Sequence, residues 1–282
     1  MVKTAWVTDS TAFLDEELKN HPDLYTIPLT ILLDGEEFAD GIDLTAAQLF
    51  ARLKELKAPP KTSQPAVGVF QELYERLSKD YDQVVAVLIS GKLSGTVSSS
   101  EQAAKLVDIP VKTFDSQILT APMTALLKKG MELMEAGNSL ESVMDQLELL
   151  KTTNETYVLI GSLEQLHRSG RMSGLQFFLG SMLNVKPIIS IEEGSLNTKE
   201  KVRSDKKAKD RILDYFKSSY EKNNFKEVYI LYGLHQEHTT EWNVELERLY
   251  PELKVIVCPL GAVIGVHAGE NTLGISWHNG LK

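Results

Sequence analysis

The stretch Gln83-Val84-Val85-Ala86-Val87-Leu88-Ile89-Ser90-Gly91-Lys92-Leu93-Ser94-Gly95-Thr96 decides the fold class of this chain. Its apolar run shows no alternation, so it reads as a strand buried on both faces, the habit of parallel sheets covered by helices. The Ser/Gly loop that follows opens a helix expected over residues 96–106. Unpaired N–H groups at that helix start, with the hydroxyls of Ser94 and Thr96, form a donor set suited to a carboxylate or phosphate. A serine-capped turn with no ligand is the plain alternative for one such loop taken alone.

Three other segments repeat this grammar. Thr8-Asp9-Ser10-Thr11 follows the short strand Ala5-Trp6-Val7, Asp115-Ser116-Gln117 follows Val111-Lys112-Thr113-Phe114, and Thr62-Ser63-Gln64-Pro65 precedes a helix carrying Phe70, Leu73, Tyr74 and Leu77. In an open parallel sheet, ligands bind beyond the carboxyl ends of the strands, so these hydroxyls are expected at one edge and in one site. No G-x-G-x-x-G occurs, and Gly91 to Thr96 lacks the Gly-Lys-Ser/Thr ending of a P-loop.

Working outward, strands and helices alternate from the start to about Asn154. Thr45 and Gln48 form a capping box ahead of Leu49, Phe50, Leu53 and Leu56, and Leu140, Val143, Leu147 and Leu150 share one face of a later helix. After residue 154 the pattern changes. Tyr157 to Ile160, Lys186 to Ile191, Val228 to Tyr232 and Lys254 to Cys258 read as strands with hairpin-like neighbours such as Glu193-Gly194-Ser195-Leu196. The expected organisation is α/β: a three-layer α/β/α domain with a parallel sheet over residues 1–154, followed by a two-layer α/β domain with a mixed sheet over residues 155–282.

Composition narrows the function classes. The 282 residues suffice for about two domains. The unbroken apolar run Val84 to Ile89 is far shorter than the roughly 20 residues a membrane helix needs. The start, Met1-Val2-Lys3-Thr4, reaches Asp9 without a signal-peptide core, so a cytoplasmic protein is expected. A net charge of −9 disfavours nucleic acid as partner. The single cysteine, Cys258, lies in an apolar strand and reads as core. His235 and His238 lack the glutamate and further ligands of a zinc motif and read as a loop. Lys199 to Arg211 holds seven basic and three acidic residues. Ala208, Ile212, Tyr215 and Phe216 recur there at core spacing, which makes Lys206, Lys207 and Lys209 a solvated helix face.

Taken together, Thr8-Asp9-Ser10-Thr11, Asp40-Gly41-Ile42-Asp43, Thr62-Ser63-Gln64-Pro65, Ile89 to Thr96, Asp115-Ser116, Arg168-Ser169-Gly170-Arg171, Val185-Lys186-Pro187-Ile188 and Gly265-Val266-His267-Ala268-Gly269 resemble the DegV family, in the family's order and over nearly the whole chain. The resemblance implies a bacterial fatty-acid-binding protein of lipid metabolism. It would be a carrier, not itself an enzyme, that presents a long-chain fatty acid of palmitate or oleate type to a separate ATP-dependent fatty acid kinase, with transient membrane contact. It implies no cofactor and no metal, and places the lipid between the two domains.

Carried over by motif, the carboxylate is expected on Thr62, Ser63, Ser94, Gly95, Thr96 and His267, and kinase docking on Arg203 and Arg171. Phe177, Phe178, Leu179, Met182 and Leu183 are expected to set tunnel depth. One departure stands out: many relatives continue with Pro-Gly after His-x-Gly, whereas this chain has Gly269-Glu270-Asn271-Thr272. Glu270 is expected to face solvent, as exposed glutamates ordinarily do. The rival reading is a Ser/His hydrolase with Ser94 as nucleophile, His267 as base and Asp9 or Asp115 as orienter, although Lys92 occupies the first glycine of a Gly-x-Ser-x-Gly elbow. A phosphosugar site with a covalent histidine is a third.

Overall fold

Residues Gln83–Leu88 form a strand whose side chains from Val84 to Leu88 are all fully buried, as an unalternating apolar run requires. The computed structural model describes residues 2–53, 55–56, 58–172 and 185–281. The expected tunnel residues Phe177, Phe178, Leu179, Met182 and Leu183 lie outside the described residues. The chain divides into two units, Met1–Thr45 with Glu55–Glu148, and Ala46–Lys54 with Leu149–Lys282.

In the first half the elements run β1 (Thr4–Asp9), α1 (Glu16–Lys19), β2 (Leu24–Ile27), β3 (Thr30–Leu33), β4 (Glu36–Ala39), α2 (Ala46–Leu53), β5 (Lys61–Ser63), α3 (Val67–Leu77), β6 (Gln83–Leu88), α4 (Thr96–Ala104), β7 (Val111–Asp115), α5 (Thr120–Glu135) and α6 (Leu140–Lys151). A parallel sheet is ordered β2-β1-β6-β7. On one face Ala5, Val7, Val84, Ala86 and Leu88 pack with Phe70, Leu73, Tyr74 and Leu77 of α3 and Ala103 of α4. Trp6 points the other way. A Cβ placed on Gly130 of α5 would lie 2.7 Å from the Trp6 ring and 3.2 Å from Leu147 of α6, so α5 and α6 cover that face at close range. These are the three expected layers. Alternation did not announce a second, antiparallel sheet of order β4-β3-β5, in which Ile31 pairs with Thr62 and Thr30 with Ser63. Thr62 and Ser63 therefore sit on this small sheet and not at the end of a parallel strand.

The second unit contains β8 (Asn154–Leu159), α7 (Leu163–Arg168), β9 (Lys186–Glu192), β10 (Ser195–Val202), α8 (Asp205–Asn223), β11 (Glu227–Tyr232), a 3-10 turn (Gln236–Thr239), α9 (Thr240–Leu249), β12 (Lys254–Pro259), α10 (Ala262–Ala268) and β13 (Leu273–His278). Its sheet is mixed, as expected, with order β10-β9-β8-β13-β11-β12; β11 and β12 are parallel and the other pairs antiparallel. Glu193 and Gly194, at φ 48° and 81°, make the two-residue turn between β9 and β10 that matches strand twist. Ala208, Ile212 and Phe216 of α8 and Trp242 of α9 pack with Ile188, Ile230, Ile275 and Trp277 on one sheet face. On the other face Ile189 meets Leu166 of α7 and Met172. Cys258 is fully buried, and burial pushes its thiol up to about 12, as suits a core residue. His235 and His238 lie in the loop after β11, the His235 ring 3.2 Å from Glu237. No described helix is long and apolar enough to cross a membrane.

Candidate functional site

In the first unit, the polar residues at the carboxyl ends of the parallel strands divide into those that build the edge and those that it displays. Thr8 Oγ1 donates to the Val87 carbonyl at 2.9 Å, tying β1 to β6. The fully buried Asp9 carboxylate accepts from Thr11 N–H (3.0 Å), Thr11 Oγ1 (2.5 Å) and Ile89 N–H (2.7 Å). Burial pushes its carboxyl up, and these hydrogen bonds oppose the rise. Ser10 Oγ donates to Asp40 at 2.8 Å and accepts from Leu29 N–H at 3.0 Å. The expectation that Thr8 to Thr11 offers donors to a ligand is thus corrected: the polar atoms of Thr8, Asp9, Ser10 and Thr11 are bonded to one another and to neighbouring segments of the fold.

Asp115 and Ser116 likewise build the loop. One Asp115 oxygen accepts from Gly91 N–H (3.1 Å) and Gln117 N–H (2.9 Å). Ser116 Oγ accepts from Ile118 N–H and donates to the Ile118 carbonyl, and that carbonyl also accepts from Ser90 N–H at 2.9 Å. The Ser90 carbonyl accepts from Leu93 and Ser94 N–H, and Ser90 Oγ from Lys92 N–H. The loop is held by hydrogen bonds up to Ser94.

What it displays begins there. Ser94 and Thr96 hydroxyls are 2.8 Å apart, Thr96 fully buried and Ser94 half-buried. Gly95, the N-cap of α4, carries no side chain to cap the helix's first N–H groups. A Cβ on Gly95 would lie 2.9 Å from the Gln64 amide, so the end of the Gln64 side chain lies directly over this loop. That contact brings Gln64, next in sequence to Thr62 and Ser63, against the loop Ser94-Gly95-Thr96. Thr62 is half-buried; Ser63 is exposed, its Oγ donating to the Gln64 carbonyl at 3.1 Å. Gln64 itself was not singled out in the sequence. Its position inside Thr62-Ser63-Gln64-Pro65 was the available signal, but the approach to Gly95 is tertiary.

In the second unit, His267 lies in α10, half-buried. Desolvation, and then the charge of Arg171, lower its pKa to about 4, so the ring is neutral at pH 7. Arg171 is itself half-buried, and its guanidinium donates to the Ser169 carbonyl at 2.6 Å. Arg168 pairs with Glu164 at 2.6 Å on the exposed face of α7. Gly265 and Gly269, which flank His267, stand at close packing contacts. A Cβ on Gly265 would lie 2.7 Å from the Phe50 ring of α2, and one on Gly269 would meet Gln165 and Ser162. Glu270 is half-buried and, with Phe50, Arg168 and Asn271, lines a cleft of about 350 Å3. Arg203 is exposed in the bend before α8, whose N-cap is Ser204.

The arrangement suits anion binding better than nucleophilic catalysis. Ser94 is bonded to another hydroxyl, which takes no proton from it, and the Asp9 and Asp115 oxygens accept from backbone N–H groups. Comparison with known proteins agrees on the family. The DegV family model, described as an uncharacterised protein family, matches residues 3–279. Protein DegV of Bacillus subtilis is 35% identical over 275 residues, 97% of this chain and 98% of that one. The crystal structure of Bacillus subtilis DegV, described as a fatty acid binding protein, has a TM-score of 0.90 at 33% identity, with 99% of each chain covered. A fatty-acid-binding DegV family protein of Thermus thermophilus has a TM-score of 0.88 at 34% identity, covering 97% of this chain and 98% of its own. This chain belongs to the DegV family.

Proposed function

We propose that this protein binds a long-chain fatty acid and presents its carboxylate to a separate ATP-dependent kinase, which forms the acyl phosphate. The observation that carries the reading is the hydroxyl pair Ser94 and Thr96 at the uncapped start of α4, under the Gln64 amide, on an edge whose carboxylates, Asp9 and Asp115, are turned onto backbone N–H groups. Similar proteins from Bacillus subtilis and Thermus thermophilus are described as binding fatty acids. A carboxylate taken from water loses several kcal/mol of solvation, and each charge-assisted hydrogen bond returns about 1.5–3 kcal/mol. The acyl tail supplies most of the affinity: some fourteen methylenes at about 0.8 kcal/mol each set an upper bound near 11 kcal/mol. Thr62, Ser63, Ser94, Gly95 and Thr96 then mainly orient the head group. The resemblance adds His267, whose neutral ring offers a hydrogen bond without a charge.

The kinase step rests on the resemblance and on Arg203, whose exposed guanidinium can clamp a phosphate or carboxylate bidentately. Arg171 is the second docking residue by the same resemblance. The place of action is the cytoplasm. Organic extracts of the purified protein should contain a long-chain fatty acid, and the delipidated protein should rebind oleate or palmitate in calorimetry; failure to rebind either would overturn the reading. Arg203→Ala and Arg203→Lys should leave lipid affinity and melting temperature unchanged but slow acyl-phosphate formation by a fatty acid kinase with ATP. Equal losses in binding and turnover would remove Arg203 from the docking surface. Labelling of Ser94 by a fluorophosphonate would favour the hydrolase instead.

A further inference from the structure

The loop from β7 to α5 assigns a partner to Asp115 and Ser116 but not to Thr120. Thr120 is 1% exposed, and its Oγ1 is buried without a hydrogen-bond partner. The same residue sits at φ 55°, in the left-handed region that disfavours a β-branched side chain. Two unfavourable features thus meet at one position. Valine would fill the same volume without desolvating a hydroxyl, and glycine would relieve the backbone. Strain and an orphaned polar atom tend to gather at functional sites, and here both fall on one residue.

The surroundings say what that is. Thr120 follows Ile118 by two residues, and the Ile118 carbonyl accepts from Ser90 N–H, the root of the loop that carries Ser94. It is the first residue of α5, a helix of 16 residues whose N-cap is Leu119 and which has no side-chain cap. α4 also starts without a side-chain cap. β6 and β7 are neighbouring parallel strands, so two uncapped helix starts and one orphaned hydroxyl stand at adjacent strand ends. Helix starts favour an anion, and the carboxylates of the same edge, Asp9 and Asp115, are turned onto backbone N–H groups. We propose that Thr120 is a further binding residue, its hydroxyl donating to an oxygen of the bound carboxylate alongside Ser94 and Thr96. This assignment rests on the fatty-acid reading above.

The test compares delipidated wild type, Thr120→Val, Thr120→Ala and Thr120→Ser for binding of oleate and of oleyl alcohol. Thr120→Val and Thr120→Ala should weaken oleate about tenfold, equivalent to about 1.4 kcal/mol, and oleyl alcohol less than threefold. Thr120→Ser, which keeps the hydroxyl, should bind both within threefold of wild type. The ligand-free Thr120→Val protein should melt no lower than wild type, because an unpaired hydroxyl has been removed. Wild-type affinity for oleate in both hydroxyl-free variants would overturn the assignment. Equal losses for acid and alcohol would also overturn it, making Thr120 a packing residue. A wild type that binds no oleate would sink the fatty-acid reading and this assignment with it, and is told apart because it shows before any substitution.

Discussion

Protonating His267 should cost this protein stability in mildly acidic solution, and His267→Gln should remove that cost. The imidazole's pKa falls from 6.5 to about 4 in the folded chain, first because the ring is desolvated in α10 and then because Arg171 already places a positive charge beside it. The unfolded chain takes up its proton near pH 6.5, whereas the folded chain resists until about pH 4. Between those values the unfolded state holds more protons, so unfolding becomes easier as the pH falls. The full difference of 2.5 units at 1.36 kcal/mol each is about 3.4 kcal/mol, an upper bound because local rearrangement can open the ring to water. The assay is urea unfolding of the delipidated protein from pH 7.5 to pH 4, with the m-value checked for constancy. Wild type should lose about 2–3 kcal/mol more than His267→Gln over this window, since the other titrating groups cancel in the comparison. Parallel stability curves for the two proteins would refute the reasoning, as would a His267 ring that titrates near 6.5 by NMR. Above pH 6.5 the two curves should run at a fixed offset.

Two further outcomes test the remaining links. Thr62→Ala and Ser94→Ala should each weaken oleate about tenfold, the loss of one charge-assisted hydrogen bond, while slowing phosphorylation of the bound acid far more; turnover of both at the wild-type rate would displace the site. Gly130→Ala should lower the urea midpoint without changing the m-value. A methyl 2.7 Å from the Trp6 ring overpacks by about 1–3 kcal/mol, which exceeds the roughly 1 kcal/mol that alanine gains over glycine in a helix; a raised midpoint would show that Trp6 can yield.

The sequence by itself determined the strand at Val84 to Leu88, because six consecutive apolar residues have no stable place except between two helical layers. It also determined the turn at Glu193-Gly194 and the buried face of α8 at Ala208, Ile212 and Phe216, which are local matters of backbone freedom and helical period. The order of segments such as Leu93-Ser94-Gly95-Thr96 was enough to carry the family resemblance.

Tertiary structure alone decided which hydroxyls serve the scaffold. Thr8, Ser10, Ser94 and Ser116 are all small hydroxyl residues, yet Thr8 and Ser10 bond to Val87 and Asp40, atoms that lie close only after the fold has formed. Sheet order was equally hidden: β13, the last strand of the chain, lies between β8 and β11, a pairing that no local spacing records. Thr62 and Ser63 pair with β3 in a separate small sheet, and Gln64 reaches Gly95 from there. The glycines around His267 show the same division. Their spacing was visible in the sequence, but their reason, the close approach of Phe50, Ser162 and Gln165, comes from segments distant along the chain. Thr120 is the sharpest case, since its left-handed backbone and its unpartnered hydroxyl are properties of the folded loop and not of the residue.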